Sequence, residues 1–273
     1  MPELTPLLAL KLTLVPLLML AITWAGQRWG AAVAGWLSGF PVIAGPVLLF
    51  VALDHGAGFA ADAALATLAN VPANIAFGLA YAWLATRAPW PLALPAGVGA
   101  FFLTTQGLLQ LPLYLPLALG ITAAVLALAP RLYPHRHSAP AHRHTTHAEM
   151  ALRMLAGGLV AFAISWQAQS LGARWSGSLS VFPVLGSILA VFMHHQCGAA
   201  AAAHLLRGQA TGLIAFSVFC LLLLLSLPWG IATSFVLALL AAGTTQRLSL
   251  AIIRRQVVAH HRAARQAPRP GAQ

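Results

Sequence analysis

Acidic residues are almost missing: the 273-residue chain has four Asp and Glu against 15 Lys and Arg, and only 7% of it is charged. Soluble domains carry about 25% charged residues, so no ordinary water-facing surface can be drawn over this chain. The four carboxylates, Glu3, Asp54, Asp62 and Glu149, are too few and too scattered for the acid and base pair, or the carboxylate and metal set, that a membrane hydrolase or transferase needs near an interface. Only Asp54, His55 and Asp62 lie near enough in sequence to form such a set, and an enzyme is not expected. None of the four falls at mid-membrane, so proton coupling through a buried carboxylate is unsupported, although a histidine could take that part. Cysteine is equally scarce. Cys197 and Cys220 lie in or beside apolar segments; they offer no disulfide framework and no CxxC motif, and read as packing thiols.

What the chain does have is apolar length. Sixty per cent of its residues are hydrophobic, in continuous runs of about 20 residues, which suit transmembrane helices and not the short alternating segments of a β-barrel. The start, MPELTPLLALKLTLVPLLMLAITWAG, has an acidic residue and no basic n-region. It reads as a first membrane helix, not as a cleavable signal. The expected fold is all-α and polytopic. Spans are expected near 7–26, 32–54, 59–86, 90–108 and 111–129, then 149–169, 175–196, 204–226 and 228–250, nine in all. They divide into a first membrane unit (1–130), a His- and Arg-rich linker (131–148), a second unit (149–253) and a basic tail (254–273). Basic residues on short loops favour the cytoplasm. Nine spans place Arg28, Arg87, Arg131, Arg136, Arg143, Arg207 and the tail together inside, leaving little but Arg174 outside. This predicts a multi-pass protein of a bacterial cytoplasmic (inner) membrane, with the N-terminus outside and the C-terminus in the cytoplasm.

The two units resemble each other. Shifted by 142 positions without a gap, residues 9–66 match 151–208 at 20 of 58 positions, and eleven of the matches involve neither Ala nor Leu, so low complexity does not explain them. They include Trp24 with Trp166, Gln27 with Gln169, Gly30 with Gly172, Gly35 with Gly177, and Ser38 and Phe40-Pro41-Val42 with Ser180 and Phe182-Pro183-Val184. Lys11 falls over Arg153, and Asp62 over His204. Equivalent helices are separated by five spans, an odd number, so the second unit is expected to enter the membrane inverted. Inverted repeats are a common plan of secondary transporters, because two like halves can exchange conformations; a duplication with only a packing role is the plainer alternative.

The segments LSGFPVIAGP from Leu37 and LSVFPVLGS from Leu179 are the most informative motif. Proline within a helix removes one backbone donor and clashes with the carbonyl four residues earlier, here Leu37 and Leu179. Each span should kink or unwind near the bilayer midplane, where freed carbonyls must be buried in protein or line a wet cavity. A solute site is therefore expected from Ser38, Phe40, Pro41, Ser180, Phe182 and Pro183, together with Asn70 and Asn74, which bracket Pro72 and share a helix face. Thr23, Ser165, Gln27, Gln169, Gln209 and Thr211 could face the same cavity. Simple interhelical hydrogen bonding would also account for each of them.

Lys11 and Arg153 lie one turn inside their helices, where they can snorkel to the interface or attract an anionic substrate. The linker histidines His135, His137, His142, His144 and His147, with His194, His195, Cys197 and His204, raise a metal reading. The mid-membrane His and carboxylate pairs of metal permeases are missing, and no metal ligand or cofactor is assigned. The tail arginines Arg254, Arg255, Arg262, Arg265 and Arg269 suit anionic lipid at the membrane surface. Nucleic acid is not an expected partner, and a homo-oligomer is allowed.

At the Phe-Pro segments the chain resembles the GlpM type of small four-helix bacterial inner-membrane protein. The resemblance rests on Arg153, Gly177, Phe182, Pro183 and Gly198, and on Lys11, Gly35, Phe40, Pro41 and Gly56 in the other copy. It implies a membrane protein and no particular substrate. The function expected from the sequence is a secondary transporter or permease for a small solute, with its site between the two Phe-Pro helices. A non-transporting assembly or scaffold protein and a divalent-metal permease are the alternatives.

Overall fold

The computed structural model describes residues 6–41, 44–112, 114–134, 146–170 and 182–266, with backbone alone at 6–12, 147, 161, 164–170 and 250–266. These residues are helical, as the apolar runs predict. In chain order the helices are α1 (Pro6–Trp29), α2 (Ala31–Ser38), α3 (Ala44–Ala69), α4 (Val71–Ala85), α5 (Trp90–Leu109), α6 (Leu115–Leu132), α7 (His147–Ser170), α8 (Val184–Cys197), α9 (Ala199–Ser226) and α10 (Ile231–Gln266), with a 3-10 turn at Leu227–Trp229. Proline marks the first turns of α4, α5 and α6, where the missing N–H would have no intrahelical partner anyway.

Among the described residues, five helical stretches are long and apolar enough to cross a membrane: Ala44–Ala85, Trp90–Leu109, Leu115–Leu132, Ala199–Trp229 and Ile231–Ser249. Val184–Cys197 is a shorter apolar helix. Large apolar side chains point outward along them, including Leu103 at 76% and Leu248 at 67% exposure, as helices bathed in lipid require.

Two expected spans are interrupted. The expected helix over 32–54 is split, because α2 stops at Ser38 and α3 starts at Ala44 around the Phe-Pro pair. The expected helix over 59–86 is split at Asn70, just before Pro72. The described helix α10 also runs past the apolar segment to Gln266, well into the expected tail, because Ala, Gln and Arg favour helix without any burial.

Helix α9 is the hub of the bundle, packing against α2, α3, α4, α6, α8 and α10. Its closest neighbour is α2. Gly35 and Gly39 on α2 meet Gly208 and Gly212 on α9 so closely that a Cβ at any of the four would overlap the other helix's backbone. Paired small residues four apart are a common way for membrane helices to approach, since dispersion and backbone contact replace a hydrophobic driving force that lipid does not supply.

Backbone features recur at the same 142-residue spacing as the sequence matches. Gly56 has φ 86 and ψ 171, and Gly198 has φ 83 and ψ 174. The Gly45 N–H donates to the Pro41 carbonyl at 2.9 Å, and the Ser187 N–H donates to the Pro183 carbonyl at 2.8 Å. Helices α5 and α10 begin at Trp90 and Ile231, within one residue of that offset. Helices α1 and α7, equivalent by sequence, run antiparallel: Arg153 reaches Thr23, Gly157 faces Met19 and Val15, and Gly158 faces Pro16.

Candidate functional site

In the first Phe-Pro segment α2 ends before the proline is reached. The Gly39 N–H donates to the Gly35 carbonyl at 3.1 Å, the Phe40 N–H to the Leu37 carbonyl at 3.1 Å, and the Ser38 hydroxyl to the Gly35 carbonyl at 2.7 Å. The carbonyl expected to be freed at Leu37 is therefore occupied by a closing turn. Pro41 is buried and Phe40 half-buried, and the chain restarts as α3, with the Pro41 carbonyl accepting its first bond. The result is a broken helix with a tidy end, not a kinked continuous one.

After the second segment the chain starts its helix in the same way. Pro183 is buried and Phe182 half-buried, and α8 starts at Val184 with Pro183 as its N-cap residue. Leu179 and Ser180 lie outside the described residues. Phe182 stands in an aromatic cluster, with ring centroids 5.2 Å from Phe101, 6.2 Å from Phe77 and 6.4 Å from Phe102. Asn70 and Asn74 are both buried on the helix that carries Phe77. The Thr105 hydroxyl of α5 donates to Asn70 Oδ1 at 3.0 Å.

Gln209 of α9 stands between the two Phe-Pro segments. Its backbone lies against Gly35 and Gly39 just before Pro41, and its side-chain amide lies over Gly186 just after Pro183, so closely that a Cβ at 186 would overlap it. The Gln209 side chain is buried. Ser38, Phe40 and Pro41 thus sit on the α2 side of Gln209, and Phe182 and Pro183 on the α8 side, toward α4 and α5. No family model, curated protein or solved structure matches this chain. The arrangement sets one buried amide, with a donor and an acceptor, between two helix starts, with aromatic rings beside the second.

A second polar centre lies around α7 and α8. The buried guanidinium of Arg153 donates to Gln196 Oε1 at 2.7 Å and to Thr23 Oγ1 at 3.3 Å, and lies 5.0 Å from the Phe192 ring centroid. Nearby, the Tyr81 hydroxyl and His194 Nδ1 share a hydrogen bond at 3.3 Å. Among the described residues no group of three His, Cys, Asp or Glu lies together to hold a metal. His135, His137, His142 and His144 fall outside the described residues, as do the side chains of Lys11, His147, Ser165, Gln169 and the tail arginines.

Several of these groups escape a sequence reading. The glycine pairs were visible as two four-residue spacings, the pattern that brings membrane helices together. Gln196 was visible only as the residue that falls over Asp54 in the repeat. Tyr81, Phe77 and Phe101 carried no signal, because an aromatic residue in an apolar run looks the same whether it faces lipid or a neighbour.

Proposed function

We propose that the protein is a secondary transporter or permease for a small solute, built as an inverted repeat of five and four spans in a bacterial cytoplasmic membrane. The observation that carries this reading is the place of Gln209, a buried amide between two Phe-Pro segments whose following helices start alike. Discontinuous helices meeting at a repeat interface are where many such transporters hold their cargo, with helix N-termini offering partial positive charge. Antiparallel α1 and α7 and the shared dihedrals of Gly56 and Gly198 support two like halves of opposite orientation. Alternating access would rock one unit against the other about α9, opening the Gln209 region to each side in turn. The GlpM-like segments agree with a membrane role and leave the cargo open. The basic tail would dock on anionic lipid.

Cysteine accessibility tests this reading. With Cys197 and Cys220 replaced by Ser, a Ser38→Cys variant in sealed vesicles should react with a membrane-impermeant maleimide from either face, since one population visits both open states. Reaction from neither face would show Ser38 permanently packed, and the transport site would then not lie at the Phe-Pro breaks.

A further inference from the structure

The Arg153 centre is short of negative charge. Arginine stays protonated in proteins, and this one is 3% exposed. Its two hydrogen-bond partners, Gln196 and Thr23, are neutral, Phe192 supplies only a ring face, and the buried Nε has no hydrogen-bond partner. The nearest carboxylate in sequence, Glu149, lies one turn earlier on α7 and is engaged elsewhere: its Oε2 accepts from the Thr146 N–H at 3.0 Å, while the Thr146 hydroxyl accepts from the Glu149 N–H at 3.3 Å. That reciprocal pair caps the helix, so Glu149 acts on Arg153 only through charge at a distance and, among the described residues, makes no ion pair with it. A buried cation whose direct hydrogen-bond partners are all neutral, with the Glu149 carboxylate acting on it only from a distance, is incompletely compensated, and what is missing is a counter-charge in contact.

The repeat shows what the second unit lacks. Arg153 falls over Lys11, Thr23 is matched by Ser165, and Gln196 falls over Asp54. The first unit thus has a cation with a carboxylate at the matching positions, whereas the second keeps the cation and replaces the carboxylate by an amide. We propose that Arg153, Thr23 and Gln196 form a binding site for the carboxylate or phosphate group of a small soluble anion, which supplies the charge that Gln196 does not.

The way in is from the α8 end. Gln196 is half-buried beside exposed His195 and Gly198, so swinging its amide aside uncovers the guanidinium NH2 it now occupies. Arg153 is six residues beyond the first residue of α7, roughly 9 Å along the axis, which places the site near one membrane face, as a loading position for the midplane region. A phospholipid headgroup carries the same chemistry. The lipid-side groove between α1 and α7, about 530 Å³ and lined by Pro16, Ala151, Leu155, Gly158 and Phe162, however, lies on the opposite face of α7 from Arg153, which points into the bundle.

The site rests on the transporter reading only in naming its anion as cargo. The test uses the full chain in nanodiscs of neutral phosphatidylcholine, titrated with inorganic phosphate and with succinate while thermal unfolding is followed. At least one of the two should raise the melting temperature saturably. Gln196→Glu, which puts a carboxylate where the first unit has Asp54, should raise the melting temperature without anion and weaken the anion response by roughly ten-fold or more, about 1.4 kcal/mol. Arg153→Gln should abolish that response, and because it also removes two hydrogen bonds, the Gln196→Glu variant serves as the folded control. The site is overturned if neither anion stabilises the native chain, or if Gln196→Glu destabilises it and leaves the response unchanged. It is also overturned if only phosphatidylglycerol added to the nanodisc gives Arg153-dependent stabilisation. Arg153-dependent binding without flux in proteoliposomes would remove the transporter reading and keep the site, whereas flux of the anion unaffected by Arg153→Gln would do the reverse.

Discussion

At the scale of single residues, glycine has two different jobs in this protein, and substitution separates them. Gly35 exists to let α2 lie on α9: an added Cβ would overlap the Leu205 carbonyl and approach the Gln209 N–H, and backbone cannot yield as a side-chain tip can. Gly35→Ala should therefore destabilise the fold by about 1–3 kcal/mol, the range for overpacking a tight contact, read as a lower midpoint in detergent-titrated unfolding. Gly120 is the control. It is exposed in the middle of α6 with open space around its Cβ position, so Gly120→Ala should be neutral or stabilising by up to about 1 kcal/mol, the helix-propensity difference. Equal losses at the two positions would mean that the α2 and α9 contact does not hold the bundle. Polar residues divide in the same way. Thr105 gives its hydroxyl to Asn70, and such bonds between membrane helices contribute about 0.6 kcal/mol on average, so Thr105→Val should change the midpoint much less than Gly35→Ala.

At the scale of elements, the breaks in the helices matter more than the helices. Gly56 and Gly198 occupy a region of positive φ and extended ψ that is essentially restricted to glycine. Neither has an atom within 4 Å of its Cβ position, so space is not the constraint and backbone conformation is. Gly56→Ala and Gly198→Ala should each cost about 1–3 kcal/mol, and by similar amounts, since the dihedrals agree within a few degrees. A large loss at one and none at the other would show that the two turns are not equivalent in solution.

These breaks mark how far the sequence can be read. The apolar runs reported helix and approximate span, because both follow from composition and length. The Phe-Pro pair reported that a helix boundary falls near Pro41 and Pro183, because a missing donor acts locally. The closing turn that caps Leu37, and the packing of Gln209 over Gly186, depend on where α9 sits, and no local pattern carries that information. Arg153 was visible as an intramembrane cation, but its neutral surroundings became apparent only once α1, α7 and α8 were placed together.

At the scale of the whole molecule, the decisive question is orientation. Helices α1 and α7 match in sequence and run antiparallel, which a two-fold axis lying in the membrane plane would produce and a simple tandem copy would not. Charge gives an independent handle on the same point. With nine spans, the linker arginines Arg131, Arg136 and Arg143 and the tail arginines from Arg254 onward share the cytoplasmic face, where basic loops are retained. One span more or fewer in the second unit would put linker and tail on opposite faces against that bias. Reporter fusions decide between these arrangements: a phosphatase that works only outside should be active at the N-terminus, and a fluorescent reporter that folds only inside should shine when joined after Thr145 or at Gln273. If the fusions after Thr145 and at Gln273 report opposite faces, the second unit crosses the membrane a different number of times. If instead the N-terminus and the fusion after Thr145 report the same face, an even number of spans separates equivalent helices, and the proposed inversion, with the exchange of like halves that alternating access needs, is lost.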